Sequence, residues 1–207
     1  MRLARDGAFT IGVMSAVAVV GGLLTPVFYI VMLIPIAMAF WFYRDPDRFP
    51  PDDPSAWVSP ADGRVVEVTS GAEDQYAGMT TKIGIFMNGF DVHVNRFPTD
   101  GTVEEKRYVP GKKWFAIAPK ASDENERMYV GISTGQGRAT VVQVAGIMAR
   151  RIVSYVKVGN KLARGERYGM IKLGSRVDIY MPPSVNPVVE VGSKVRAGET
   201  IIGVVNE

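Results

Sequence analysis

Hydrophobic positions fall along this chain in two unlike ways: one unbroken run near the N-terminus, then short alternating runs to the C-terminus. Residues 7–43 carry no charged side chain over 37 positions, whereas one membrane span needs about 20 residues. Gly21-Gly22 and Thr25-Pro26 interrupt the run near its middle, which predicts two short spans joined by a tight turn. The run is too long for a signal peptide and lacks a small-residue cleavage site before the charged segment. Arg2 and Arg5 precede it, and Arg44 and Arg48 follow it. The positive-inside tendency then puts both ends, and the domain that follows, on the cytoplasmic side of the cell (inner) membrane. A single long tilted helix is the alternative and would move that domain to the other side.

The pattern changes at residue 44. Prolines at 46, 50, 51 and 54 in RDPDRFPPDDPSAW (44–57) forbid a helix and predict a stiff connector. It lies between a membrane-anchoring helical hairpin, residues 1–45, and a domain over residues 46–207, long enough for one packed core. In that domain VVEVTS, TKIGIFM, VHVNRF, RMYVGIS, ATVVQVAGI, RIVSYVKV, RVDIYM, PVVEV and TIIGVV are short β-branched runs bounded by turn residues. Only IMARRIVSYV competes as a helix, and its β-branched content argues against that.

KVGNKLARGERYGMI (157–171) and EVGSKVRAGETIIGV (190–204) align at an offset of 33 residues. Their shared glycines mark two equivalent turns with positive φ. Such paired hairpins are similar to the barrel-sandwich folds of biotinyl and lipoyl carriers, with SPADGRVVEV (59–68) as an opening strand. The expected class is mainly β: a barrel-sandwich-hybrid-like flattened β domain with an N-terminal transmembrane helical hairpin.

Composition narrows the chemistry. Without cysteine there are no disulfides, zinc–cysteine sites or thiol nucleophiles, and no metal is expected. A net charge of +3 suits a domain resting on anionic lipid better than one dedicated to nucleic acid.

Six blocks then occur in order: FYRDPDR (42–48), SPADGRV (59–65), MNGFDVHVNRFP (87–98), ENER (124–127), QVAGIMARRI (143–152) and GERYGMIKLGSRVD (165–178). Spanning nearly the whole chain, they resemble the phosphatidylserine decarboxylases, in the short form found in many bacteria and archaea. The resemblance implies a proenzyme that cuts itself at a Gly-Ser bond and decarboxylates the serine headgroup of a phospholipid.

Removing CO₂ from an α-amino acid requires an electron sink, which pyridoxal phosphate or a pyruvoyl carbonyl supplies through a Schiff base to the amine. The sequence offers no recognisable cradle for pyridoxal phosphate. It does offer Gly174-Ser175. Attack of the Ser175 hydroxyl on the Gly174 carbonyl, then β-elimination and loss of ammonia, would turn Ser175 into a covalent pyruvoyl group. The products are a chain ending at Gly174 and a 33-residue chain beginning at position 175, both expected to remain in one fold.

His93 is the only histidine, hence the one available neutral-pH imidazole base. Strand alternation would put Asp91, His93 and Asn95 on one face. Asp62 in SPADG is the candidate carboxylate partner of the imidazole, although Asp-Gly is also a common turn pair. Longer family members carry a second histidine where Arg96 stands, and usually threonine where Arg176 stands, so His93 is expected to serve self-cleavage, decarboxylation or both.

For the lipid, Lys112-Lys113 followed by Trp114-Phe115 suits a membrane-interface loop, and Arg150-Arg151 is a second basic pair. Asn125, Glu126 and Arg127 match the family without a role their chemistry reveals. The expected partners are the phospholipid substrate, the membrane and the two cleavage fragments themselves, with a homo-oligomer left open. An archaetidylserine decarboxylase would use the same chemistry. A tethered biotinyl- or lipoyl-like carrier acylated on Lys172 at a hairpin is a rival, as is an adaptor that uses the barrel only for protein contacts.

Overall fold

The computed structural model describes residues 2–112, 114–117, 121–146, 151–172 and 175–205. The chain divides into two compact units, Met1–Asp47 and Arg48–Glu207.

The first unit is the apolar one. It comprises β1 (Arg2–Leu3), α1 (Arg5–Leu24), α2 (Val27–Phe42) and β2 (Arg44–Asp45). Pro26 has no N–H with which to extend α1 and instead sits at the N-cap of α2, so the run breaks into two helices as its sequence requires. α1 is long and apolar enough to cross a membrane, while α2, at 16 residues, is shorter. Side chains such as Phe9, Leu23, Leu24 and Ile30 remain exposed. The helical pattern did not reveal that the ends of the hairpin pair with each other, with Arg2 opposite Asp45 and Leu3 opposite Arg44.

The second unit is built from strands. In order they are β3 (Ala56–Val58), β4 (Gly63–Asp74), β5 (Gly78–Met87), β6 (Val94–Arg96), β7 (Gly101–Val109), β8 (Arg127–Thr134), β9 (Gly137–Ala145) and β10 (Arg151–Ser154). Then follow β11 (Lys161–Leu162), β12 (Arg167–Lys172), β13 (Ser175–Met181), β14 (Val185–Pro187), β15 (Lys194–Val195) and β16 (Ile201–Val205). The short helix α3 (Ala121–Glu124) precedes β8.

Eight strands form one antiparallel sheet in the order β11-β7-β8-β9-β13-β5-β4-β15, curled into a half-barrel. Two three-stranded sheets, β10-β12-β6 and β14-β16-β3, complete the unit. Trp57, Val65, Ile83, Ile85, Phe97, Val141, Tyr168, Val177, Ile179 and Ile202 belong to one buried core. The mainly β expectation holds.

The repeat is equally plain in three dimensions. Gly159 and Gly192 have φ of +90° and +100°, and Gly165 and Gly198 have φ of +83° and +76°. Each pair is 33 residues apart, and only glycine adopts this conformation without steric cost. Arg96 ties the second pair together: its Nη1 donates to Gly165 O at 2.9 Å, and a Cβ on Gly198 would lie 2.8 Å from its Cδ. The position where a longer relative has histidine is therefore occupied here by a buried guanidinium that braces a turn.

One local expectation is extended and one needs correction. The stiff connector expected over residues 44–57 is also bonded into the second unit over residues 51–58. Arg164 donates to the carbonyls of Pro51, Asp53 and Ala56, and Ala56–Val58 is a strand of the β14-β16-β3 sheet. Prolines excluded a helix there, but their carbonyls still accept hydrogen bonds. The segment before His93, by contrast, is not a strand. Asn88 to Asp91 is a turn, with Asp91 N donating to Asn88 O at 3.1 Å and Asn88 N to Asp91 Oδ2 at 2.8 Å. The strand begins only at Val94, so Asp91 and His93 do not alternate along it.

Candidate active site

Position 175 opens β13, a central strand with a partner on each edge. Ser175 lies opposite Met87 of β5 and Ala145 of β9. Alternation along β13 turns Ser175, Val177, Ile179 and Met181 to one face, and the last three belong to the core. Ser175 is fully buried, and its Oγ has no hydrogen-bond partner among the described residues. An unpartnered buried hydroxyl is costly, which makes one inside a packed β core an exception that calls for a reason. Gly174, the other half of the bond, lies outside the described residues, as do Lys113 and Arg150.

The opposite face of β13 is charged. Arg176 Nε donates to Asp178 Oδ1 at 2.5 Å, and its Nη2 to Glu67 of β4. Lys82 of β5 completes the cluster, 3.0 Å from Glu67 and 3.8 Å from Asp178. Burial alone would raise the Glu67 pKa, but hydrogen bonds from Arg176 and Lys82 outweigh it and hold the carboxyl below its ordinary value. Burial would lower the Arg176 pKa, and Asp178 overcomes that and raises it. Gly84 makes room for the guanidinium, since a Cβ there would lie 2.2 Å from Arg176 Nη2.

His93 is fully buried beside β12, where its carbonyl accepts from Ile171 N at 3.3 Å. Its Nδ1 is 2.9 Å from the Asp91 carbonyl. A carbonyl only accepts, so Nδ1 carries the proton of the neutral ring and Nε2 carries the lone pair. The turn that displaced Asp91 from the strand thus gives the imidazole its orientation.

Asp62 stands just before β4, the neighbour of β5. Its Oδ2 accepts from Arg48 Nη2 at 2.9 Å and its Oδ1 from Ala197 N at 2.7 Å. Arg48 also bonds Glu199 at 2.7 Å. Strand pairing brings Ser175 opposite Met87, Arg64 opposite Phe86 and Met170 opposite Val94. Asp62 and Ser175 thus stand at the starts of β4 and β13, the two strands that flank β5, while His93 precedes β6, which pairs with β12 in a different sheet.

Asn125 gains the role its sequence context did not supply. Its Nδ2 donates to Trp114 O at 2.9 Å and to Ala145 O at 2.7 Å, while its Oδ1 accepts from Trp114 N at 2.8 Å. Ala145 is the β9 partner of Ser175, so one buried amide fastens the Trp114 loop to the strand beside Ser175. The ENER block signalled importance, but only the pairing reveals what Asn125 holds.

Of the basic candidates, Lys112 is engaged by Glu124 at 3.1 Å, and Arg151 is an exposed residue of β10. Sequence reasoning also missed a buried amide pair behind the site. Gln143 Nε2 donates to Asn95 Oδ1 at 2.8 Å, and Asn95 Nδ2 lies 3.7 Å from Met87 Sδ. Lys172 ends β12 in one sheet, and β13 begins in another, so it is not at a hairpin tip.

The profile of the family described as phosphatidylserine decarboxylase matches residues 36–203. The chain belongs to the phosphatidylserine decarboxylase family. It is 46% identical to a phosphatidylserine decarboxylase proenzyme of Solidesulfovibrio magneticus, over 97% of this chain and 94% of that one. It is 42% identical to the proenzyme of Desulfotalea psychrophila, over 97% and 95%. That of Ralstonia nicotianae is 51% identical over 78% of this chain and 75% of its own. Within the phosphatidylserine decarboxylase family, this chain has a buried serine whose hydroxyl bonds to no described residue and an imidazole oriented by the Asp91 carbonyl.

Proposed function

We propose that this chain is a proenzyme that cuts itself between Gly174 and Ser175 and then decarboxylates phosphatidylserine to phosphatidylethanolamine. The buried Ser175 hydroxyl, with no hydrogen bond to any described residue, is the observation that carries this reading.

Self-cleavage needs only the chain's own atoms. Ser175 Oγ attacks the adjoining Gly174 carbonyl, the C–N bond breaks, and the acyl group moves from nitrogen to oxygen as an ester. A base removes the Cα proton of residue 175, and the C–O bond breaks to release the Gly174 carboxylate and leave dehydroalanine. Its enamine tautomerises to an imine, takes up water and loses ammonia, which leaves a ketone at position 175. Proximity favours the first step, because nucleophile and carbonyl are neighbours in one chain.

His93 Nε2 is the proposed base, since the Asp91 carbonyl fixes the tautomer that leaves its lone pair available. Asp62 is proposed as the acidic partner at this end of the barrel, its orientation set by Arg48 and Ala197. The pyruvoyl group suits the inner face of β13: the buried hydroxymethyl becomes a methyl group, and the ketone stands on Cα where the backbone nitrogen was, between the strand partners Met87 and Ala145. Once formed, it supplies an electron sink through Schiff-base linkage to the substrate amine. Pairing to both β5 and β9 would hold the new end in place after the cut.

The apolar hairpin with its flanking arginines supports attachment to the inner membrane, with the β unit on the cytoplasmic side. Intact-mass measurement of the purified protein tests the reading. Two fragments divided before residue 175 are expected, the small one with a blocked N-terminus. Borohydride with substrate present should add the lipid amine to that fragment, and a single unbroken chain would sink the proposal.

A further inference from the structure

A cavity of about 620 Å³ opens at the end of β4 and β5, lined by both charged and apolar groups. Three of its lining residues are cations: Arg64, Lys194 and Arg196. They come from one edge of the large sheet, where Lys194 of β15 lies opposite Arg64 of β4. Arg64 Nη1 donates to Gly192 O at 2.8 Å, so a repeat turn steadies its guanidinium. Several other cations of this unit are engaged: Arg176 and Lys82 by Glu67 and Asp178, Arg48 by Asp62 and Glu199, Lys112 by Glu124. Lys194 makes no ion pair among the described residues, and Arg196 has only a loose one, 4.0 Å from Glu199.

The carboxylates in the same lining, Asp62 and Asp91, are outnumbered by the three cations. Asp62 bonds Arg48 and Ala197 N, and Asp91 Oδ2 accepts from Asn88 N. The cavity is polar on one side and apolar on the other, where Val66, Phe86 and Ile117 contribute. Ile117 is 57% exposed, as are Phe115 at 64% and Phe90 at 78% on adjoining chain segments. The cavity also borders the proposed chemistry. Asn88 follows Met87, the partner of Ser175, and the Asp91 carbonyl orients His93.

We infer that Arg64, Lys194 and Arg196 hold the phosphodiester of the phospholipid substrate, between its reacting serine and its tails. The inference rests on the decarboxylase reading and deepens it. A phosphodiester is a singly charged anion separated from the serine amine by a short chain of atoms. It needs charge-assisted donors beside the reacting carbonyl and an apolar exit on its far side. This cavity has both, whereas neither Lys112 nor Arg151 is among its described lining residues.

The test uses the full-length matured protein and Lys194→Ala, Arg196→Ala and their combination, with Arg196→Lys retaining the charge. Substrates are a short-chain phosphatidylserine kept monomeric, the same lipid in zwitterionic vesicles, and a serine alkyl ether lacking phosphate. Losing one charge-assisted contact is expected to raise KM for the monomeric lipid about tenfold, and more in the double variant. Turnover of the ether should not change, and self-cleavage should reach the wild-type extent, which also establishes that the variants fold. Arg196→Lys should recover most of the loss.

Unchanged KM for the monomeric lipid would overturn the inference, and so would a defect confined to vesicles, which would make these cations a surface-attraction patch. Glycerophosphoserine should inhibit wild type better than inorganic phosphate does; equal inhibition would make this a free-phosphate site and overturn the lipid assignment. A wild type that neither cuts itself nor releases CO₂ would instead defeat the decarboxylase reading.

Discussion

The two faces of β13 are made by alternate residues of one strand yet do opposite things. On the inner face, Ser175 stands beside Val177, Ile179 and Met181, with a hydroxyl that bonds to no described residue. On the outer face, Arg176 and Asp178 are equally buried but bonded to each other and to neighbouring strands. On the proposed reading, apolar walls shield Ser175, whereas ionic bonds resist displacement of the strand that carries it. The period of the strand would then separate reactivity from retention.

The largest expected effect comes from removing the inner hydroxyl. Ser175→Ala should give one uncut chain with no decarboxylation, a complete loss. Its stability should match or slightly exceed that of uncut wild type, because deleting an unpartnered buried hydroxyl removes a desolvation cost and breaks no bond. Thermal denaturation of the variant against a slowly maturing wild-type sample checks this. A marked loss of stability would show that the hydroxyl has a structural partner and would erase the contrast between the faces.

The outer face predicts the reverse. Asp178→Asn neutralises one of the two carboxylates on the buried Arg176 guanidinium and leaves Glu67 in place, so the expected cost is less than the about 3–5 kcal/mol of a fully broken buried pair. Self-cleavage should still occur, since no reacting atom is touched. The mature protein should release its small fragment at lower denaturant concentration, read by size-exclusion chromatography across a urea series. Retention equal to wild type would mean that strand pairing alone holds the cut end.

These faces were unequally legible in the sequence. β-branched runs gave the strands because a half-buried pleated surface favours those side chains, and the 33-residue repeat gave the turns because Gly159, Gly165, Gly192 and Gly198 all need positive φ. Ser175 and His93 stood out through the blocks around them. The outer cluster did not, because Glu67, Lys82 and Arg176 are distant in sequence and meet only through the register of β4, β5 and β13. Asn125 was named without a role for the same reason: its partners, Trp114 and Ala145, lie on either side of it in the chain. The strand expected around Asp91 failed because a side chain that can close a turn onto Asn88 N competes with extended backbone.

Asn125→Ala tests whether the inner face depends on the loop beside it. The substitution removes three hydrogen bonds around the Ala145 carbonyl and Trp114, with an expected cost of about 1–3 kcal/mol. Cleavage should slow because the β9 edge next to Ser175 is less firmly held. Asn125→Asp should lose more, because a buried carboxylate oxygen would face the Trp114 and Ala145 carbonyls in place of the donor. A cleavage rate unchanged in both variants, followed by time-resolved gel densitometry, would confine Asn125 to anchoring the loop.

The smallest effect is the most specific to the outer face, and it concerns pH. The Glu67 carboxyl is held below its ordinary value of 4.5, so the unfolded chain takes up its proton at a higher pH than the folded one does. Its contribution to stability is therefore fully present above that ordinary value and disappears as pH falls through the lowered folded value. Glu67→Gln removes the titrating group. At neutral pH the variant should be the less stable protein, and the difference should shrink steadily as pH falls below 4.5, because protonation strips the wild type of the same interaction. Urea midpoints across that range measure it. Parallel curves would mean that Asp178 alone balances the buried Arg176, and the outer face would then reduce to a single ion pair within one strand.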